Sequence, residues 1–173
     1  MKLLLLGGSK SGKSRFAQQL VRDFGPPMIY WATMEPTDAE DRRRIENHLL
    51  DRAGWGFETI ECGRELPLAF DRLPPNASVL LDSVTALLAN EMFAGTFDEA
   101  AGERVLAQLS ALAAQTKNLV CVCDELWRDG RVYSAAVECY RRELAMICRA
   151  LAARFDAVCE VSAGVPRFQR GAF

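Results

Sequence analysis

Gly7, Gly12, Lys13 and Ser14 stand at the spacing G-x-x-x-x-G-K-[ST]. This pattern wraps main-chain N–H groups around phosphate oxygens. The glycines let the backbone close tightly, so that Gly7, Gly8, Ser9, Lys10, Ser11 and Gly12 form an anion nest at the start of a helix. Lys13 is placed to reach the β- and γ-phosphates of a nucleoside triphosphate, and the Ser14 hydroxyl to ligate Mg²⁺, with Arg15 beside them. The apolar run Lys2–Leu6 before the loop has the character of a strand buried on both faces. Phe16, Leu20, Val21 and Phe24 follow it at helical spacing. Strand, glycine loop and helix are the context the motif requires.

A second stretch, Ser78–Asp82 (SVLLD), places an aspartate at the end of an apolar strand. This is the Walker B arrangement, and Asp82 is expected to hold Mg²⁺ directly or through water. A third strand candidate, Leu119–Cys123, runs into Asp124-Glu125. Arg44, His48 and Arg52 are four residues apart and share one face of a charged helix predicted over 38–52. Such a stripe suits phosphate, and a neutral imidazole can hold a nucleotidyl group as a phosphoramidate. His48 is the one histidine in the chain. Spacing alone favours the plainer reading, a solvated face whose arginines pair with Asp41, Glu46 or Asp51.

The elements that must position these groups alternate. Strands are predicted at 2–6, 28–33, 57–61, 78–82, 119–123 and 158–162. Helices are predicted after the loop and at 38–52, 66–73, 84–94, 98–115 and 134–154. The tail from Pro166 to Phe173 is expected to be loose. This order predicts an α/β fold: one domain over 1–173 with a mostly parallel sheet flanked by helices, P-loop NTPase-like (RecA-like). In such sheets ligands sit beyond the carboxyl ends of the strands, where the loop, Asp82 and Asp124-Glu125 all fall.

A chain of 173 residues is long enough for one well-buried core. Half of it is hydrophobic and the net charge is −2, so no global positive field recruits nucleic acid. No apolar run approaches a membrane span, and the apolar start leads straight into the glycine loop rather than to a cleavage site. A cytoplasmic protein is expected. The six cysteines form no C-x-x-C pair and read as reduced, mostly buried thiols.

The chain resembles the bifunctional adenosylcobinamide kinase/adenosylcobinamide-phosphate guanylyltransferase family over nearly its whole length. The opening is similar to the family's G-G-x-x-S-G-K-S-R-x-A at Gly7, Gly8, Ser11, Gly12, Lys13, Ser14, Arg15 and Ala17. Y-x-A-T matches Tyr30, Ala32 and Thr33. D-x-E…R-I-x-x-H-x-x-x-R matches Asp38, Glu40, Arg44, Ile45, His48 and Arg52. An Asp-x-x-Thr…Asn stretch matches Asp82, Thr85 and Asn90, and A-G-[IV]-P matches Ala163–Pro166.

The resemblance implies phosphorylation of the aminopropanol hydroxyl of adenosylcobinamide, then transfer of GMP onto that phosphate. It implies GTP or ATP with Mg²⁺, a corrinoid acceptor, a homotrimer, and His48 as carrier of the guanylyl group. The nucleotide-binding set then includes Thr33, Arg44, Arg52 and Asp82 with the loop. Glu125 becomes a candidate for orienting or deprotonating the acceptor hydroxyl. Where the family pattern reads N-E-V-G-x-G-I-V-P, this chain has Asp124, Glu125, Leu126, Trp127, Arg128, Asp129, Gly130, Arg131 and Val132. Only the glutamate is shared. That departure leaves two alternatives open: a phosphotransferase with another small-molecule acceptor, and a non-catalytic GTP-binding paralogue.

Overall fold

The computed structural model describes residues 1–36, 43, 54–127 and 130–172. The charged helix expected over 38–52, with Arg44, His48 and Arg52, lies outside the described residues. Among the described residues seven strands form one sheet: β1 (Lys2–Gly7), β2 (Met28–Ala32), β3 (Phe57–Glu61), β4 (Ser78–Asp82), β5 (Asn118–Asp124), β6 (Ala157–Ser162) and β7 (Val165–Arg170). Their order across the sheet is β3-β2-β4-β5-β1-β6-β7. Every pairing is parallel except β6 with β7. The helices are α1 (Lys13–Phe24), α2 (Val84–Phe93), α3 (Ala101–Gln115) and α4 (Ala135–Arg154), with a 3₁₀ helix at Leu66–Arg72.

Alternation along the strands sorts their side chains into two layers. Leu4, Trp31, Val79, Leu81, Cys121 and Cys123 pack with Leu87, Leu88, Leu109, Leu112, Leu144 and Leu151 of α2, α3 and α4. Leu3, Leu5, Tyr30, Leu80, Val120 and Val122 pack on the other face with Ala17, Leu20 and Val21 of α1. Central strands buried on both faces explain why β1 and β5 read as continuous apolar runs. The cysteines are all free, and all but Cys62 are buried, as the composition implies.

Local chemistry sets the element ends. Ser83 caps α2 by accepting the Ala86 N–H, and Ser134 caps α4 by accepting that of Val137. Gly25, at φ +80°, closes α1 through its N–H to the Arg22 carbonyl, and two prolines follow.

The expected loose tail is corrected: Val165–Arg170 is an antiparallel edge strand against β6. Ala163 and Gly164 both adopt positive φ, 49° and 80°, which gives the tight reversal a hairpin needs. Arg170 then anchors the strand by donating to the carbonyls of Ala152, Ala153 and Phe155 at the end of α4. These carbonyls have no partner within the helix, so a cation there is doubly favoured.

Candidate functional site

β1 delivers Gly7 to the carboxyl edge of the sheet, and residues 8–12 curl back before α1 begins. Gly12 sits at φ +92° and Lys10 at φ 58°, both left-handed. The Ser11 N–H donates to Gly8 O at 3.2 Å, closing the turn. A side chain on Gly7 would lie 2.5 Å from Val161 O and 2.7 Å from Ser11 Oγ, so glycine is required here on contact grounds. Gly8, Ser9, Lys10 and Arg15 are exposed around the loop. Ser11 Oγ is buried without a hydrogen-bond partner among the described residues. A buried orphan hydroxyl inside an anion nest fits a ligand with acceptor oxygens.

Lys13 is the first residue of α1 and only 7 % exposed. Its ammonium folds back over the loop to Gly8 O at 3.0 Å and to Asp124 Oδ1 at 2.5 Å. Asp124 ends β5, directly opposite Gly7 in the β1–β5 register. Its main-chain N–H donates to Thr85 Oγ1 at 2.8 Å, and the Thr85 carbonyl accepts from Tyr140 OH at 2.9 Å. The end of β5 is therefore tied to both α2 and α4. Burial holds the Tyr140 phenol well above its ordinary value, so it stays a neutral donor.

Asp82 ends β4, one strand further from the loop than Asp124. Its Oδ2 accepts from Tyr30 OH at 2.9 Å. Thr33 lies just beyond β2 and is fully buried. Its hydroxyl donates to Ser83 O at 2.7 Å and accepts the Ser83 N–H at 2.6 Å. The Thr33 hydroxyl thus clamps the main chain that follows Asp82. Asn90 reinforces this corner, donating to the carbonyls of Thr33 and Gly63 at 2.7 and 3.0 Å. Glu125 gives its main-chain N–H to Gly7 O at 3.1 Å.

The structure thus brings together the loop, Lys13, Asp82 and Glu125 on one rim, while Arg44, His48 and Arg52 lie outside the described residues. It adds Asp124, whose role as the partner of Lys13 the local sequence did not single out. The signal that could have found it is a second acidic strand end, on a strand able to pair with β1. The Ser14 hydroxyl and the Asp82 carboxylate are hard oxygen donors. This set suits Mg²⁺, which takes one or two protein oxygens and completes its shell with phosphate and water. No group of three or more histidine, cysteine or acidic side chains among the described residues is placed to hold a metal without such a ligand.

The sequence model of the family described as CobU, cobinamide kinase/cobinamide phosphate guanyltransferase, matches residues 3–168. The chain belongs to this family. Relatives named bifunctional adenosylcobalamin biosynthesis protein cover it to different extents. The CobP protein of Pseudomonas aeruginosa is 30% identical over 173 residues, 99% of this chain and 98% of that protein. The CobU protein of Escherichia coli is 34% identical over 125 residues, 71% and 68% of the two chains. That of Salmonella typhimurium is 40% identical over 96 residues, 54% of this chain and 51% of that protein. The Salmonella match therefore spans about half of either chain.

Among solved structures the chain resembles the RadB recombinase, with a TM-score of 0.55 at 16% identity over 99% of this chain and 81% of that one. It also resembles a prototypical ATPase from the type III secretion system of pathogenic bacteria, with a TM-score of 0.50 at 14% identity over 92% and 50%. At such identities the likeness speaks to the fold alone, a mostly parallel P-loop ATPase sheet. No helix among the described residues is long and apolar enough to cross a membrane.

Proposed function

We propose that this chain is a nucleotide-dependent transferase of adenosylcobalamin biosynthesis. It would phosphorylate adenosylcobinamide and then transfer GMP to the resulting phosphate. Membership of the family supports the role in the pathway. The observation that carries the chemical reading is the buried Lys13 ammonium folded over a glycine nest, with Asp124 and Asp82 at the ends of the two next strands.

In this reading the loop N–H groups and Lys13 bind the triphosphate and neutralise charge as the terminal phosphoryl group moves. Ser14 and Asp82 would hold Mg²⁺, which would offset negative charge on the triphosphate. Glu125 orients or deprotonates the acceptor hydroxyl. His48, with Arg44 and Arg52 four residues to either side in the sequence, takes the guanylyl group: its ring nitrogen bonds to the α-phosphorus and pyrophosphate leaves. The acceptor phosphate then displaces the histidine. A trimer and a cytoplasmic location belong to the same proposal.

The test is incubation with Mg²⁺ and GTP followed by intact-protein mass measurement. The expected result is a mass increase of one GMP on the wild type that is missing from His48→Asn. GTP binding with no adduct on the wild type would remove the guanylyl-transfer half. The replaced segment after Asp124 favours a second reading, in which the acceptor is another small hydroxyl compound. Phosphorylation of such a compound, with none of cobinamide, would decide for it.

A further inference from the structure

Lys13 is nearly inaccessible to water. An ammonium in that position needs partners whether or not a phosphate is present. Gly8 O supplies one at 3.0 Å and Asp124 Oδ1 the other at 2.5 Å. Asp124 is itself held rigidly. It faces Gly7 across the β1–β5 ladder, and its N–H is bound by Thr85, whose carbonyl is in turn bound by Tyr140.

A triphosphate in the nest must take the ammonium that Asp124 now holds. It must also bring negative charge towards that carboxylate, which is 28 % exposed on the loop side of the strand end. Both effects oppose binding. An amide at this position could neither form an ion pair with Lys13 nor repel phosphate as a carboxylate does.

We propose that Asp124 is an electrostatic clasp on the phosphate loop: it holds Lys13 while the nest is empty and surrenders it to an entering triphosphate, so that it weakens nucleotide binding. This rests on the nucleotide-dependent reading above. Asp124 is a positioning residue here, acting through Lys13. The carboxylate keeps the lysine folded over the loop and spares it an unpaired buried charge. The same pairing makes release of a spent nucleotide easier, because the ammonium has an acceptor to return to.

Two measurements test this on the full chain, with wild type, Asp124→Asn and Asp124→Glu. Asp124→Ser serves as a second neutral variant should Asp124→Asn fail to fold. The first is the rate of Lys13 acetylation by acetic anhydride without nucleotide, read by peptide mass spectrometry. Neutral residues at 124 should raise it several-fold, and Asp124→Glu should stay near wild type. The second is GTP and ATP affinity in the presence of EDTA. The neutral variants should bind about tenfold more tightly, with Asp124→Glu near wild type.

Equal Lys13 labelling in the wild type and the folded neutral variants would overturn the clasp. So would weaker metal-free nucleotide binding in those variants. A labelling difference without nucleotide binding by any form would uphold the pairing and overturn the nucleotide reading, and with it the exchange.

Discussion

Gly164 packs directly on Gly12. A side chain added to residue 12 would come 3.3 Å from the Gly164 Cα, and the Gly164 N–H donates to Ser11 O at 2.8 Å. The reversal between β6 and β7 therefore braces the phosphate loop from behind, and the C-terminal hairpin belongs to the site's support. Gly12→Ala meets a left-handed φ of +92° as well as this contact. It should cost about 1–2 kcal/mol in urea unfolding and loosen triphosphate binding. Gly7→Ala should be worse, because its obstacle is the Val161 carbonyl in the strand itself. Unchanged stability and affinity in Gly12→Ala would show that the hairpin does not brace the loop.

Thr33→Val keeps the shape of the side chain and removes its hydroxyl. The Ser83 N–H and carbonyl would then lose their partner inside a buried corner. The expected loss is about 1–3 kcal/mol, read from the urea midpoint at constant m-value. Thr33→Ser should recover most of it. If Thr33 instead acted by touching nucleotide, Thr33→Val would change affinity while leaving the midpoint alone.

Local pattern made the centre of the fold legible and the edges of the site less so. Lys2–Leu6 and Leu119–Cys123 are apolar without a period because both faces of the sheet are covered, and glycines announce the loop between β1 and α1. The strand at Val165–Arg170 carried no such signal. Its sequence, VPRFQR, is mostly exposed, and its stability comes from the Ala163-Gly164 reversal and from Arg170 capping α4. Asp124 was visible only as an acidic strand end. Its pairing with Lys13 depends on β5 lying between β1 and β4, and strand order is a tertiary property that no local spacing encodes. Thr33 is a different case: its motif position suggested ligand contact, and its hydroxyl also bonds the Ser83 main chain, a tie that no local spacing encodes.

The thiols should separate by burial. Cys121, Cys123, Cys139, Cys148 and Cys159 are buried, while Cys62 is half-buried. Burial pushes the Cys62 thiol above its ordinary value, and its S–H donates to the Arg64 carbonyl at 3.1 Å. Iodoacetamide on the native protein should therefore modify Cys62 first, slowly near neutrality and faster as pH rises, because the thiolate is the nucleophile. Mass spectrometry of the digested protein reads this. Early modification of Cys123 or Cys148, whose sulfurs lie 3.4 Å apart inside the core, would mean that α4 opens readily from the sheet.

One surface ion pair gives a pH dependence whose sign can be worked out. Asp98 Oδ2 accepts from Arg104 Nη1 at 2.6 Å and its Oδ1 from the Ala100 N–H at 2.8 Å, tying the start of α3 to the preceding turn. The Arg104 hydrogen bond, then that of Ala100, holds the carboxyl below its ordinary 3.8. In the unfolded chain the group returns to that ordinary value. Below it the unfolded state binds the proton first, so the contribution is complete above about pH 5 and fades as pH falls through the folded value. Urea unfolding of wild type and Asp98→Asn should thus differ by a constant amount from about pH 5 to 7. The two should converge as pH falls below the ordinary carboxyl range, with a smaller gap in about 1 M salt because the pair is exposed. A gap that persists undiminished at the acid end would assign the effect to how the substituted amide packs and remove the ion pair as its cause.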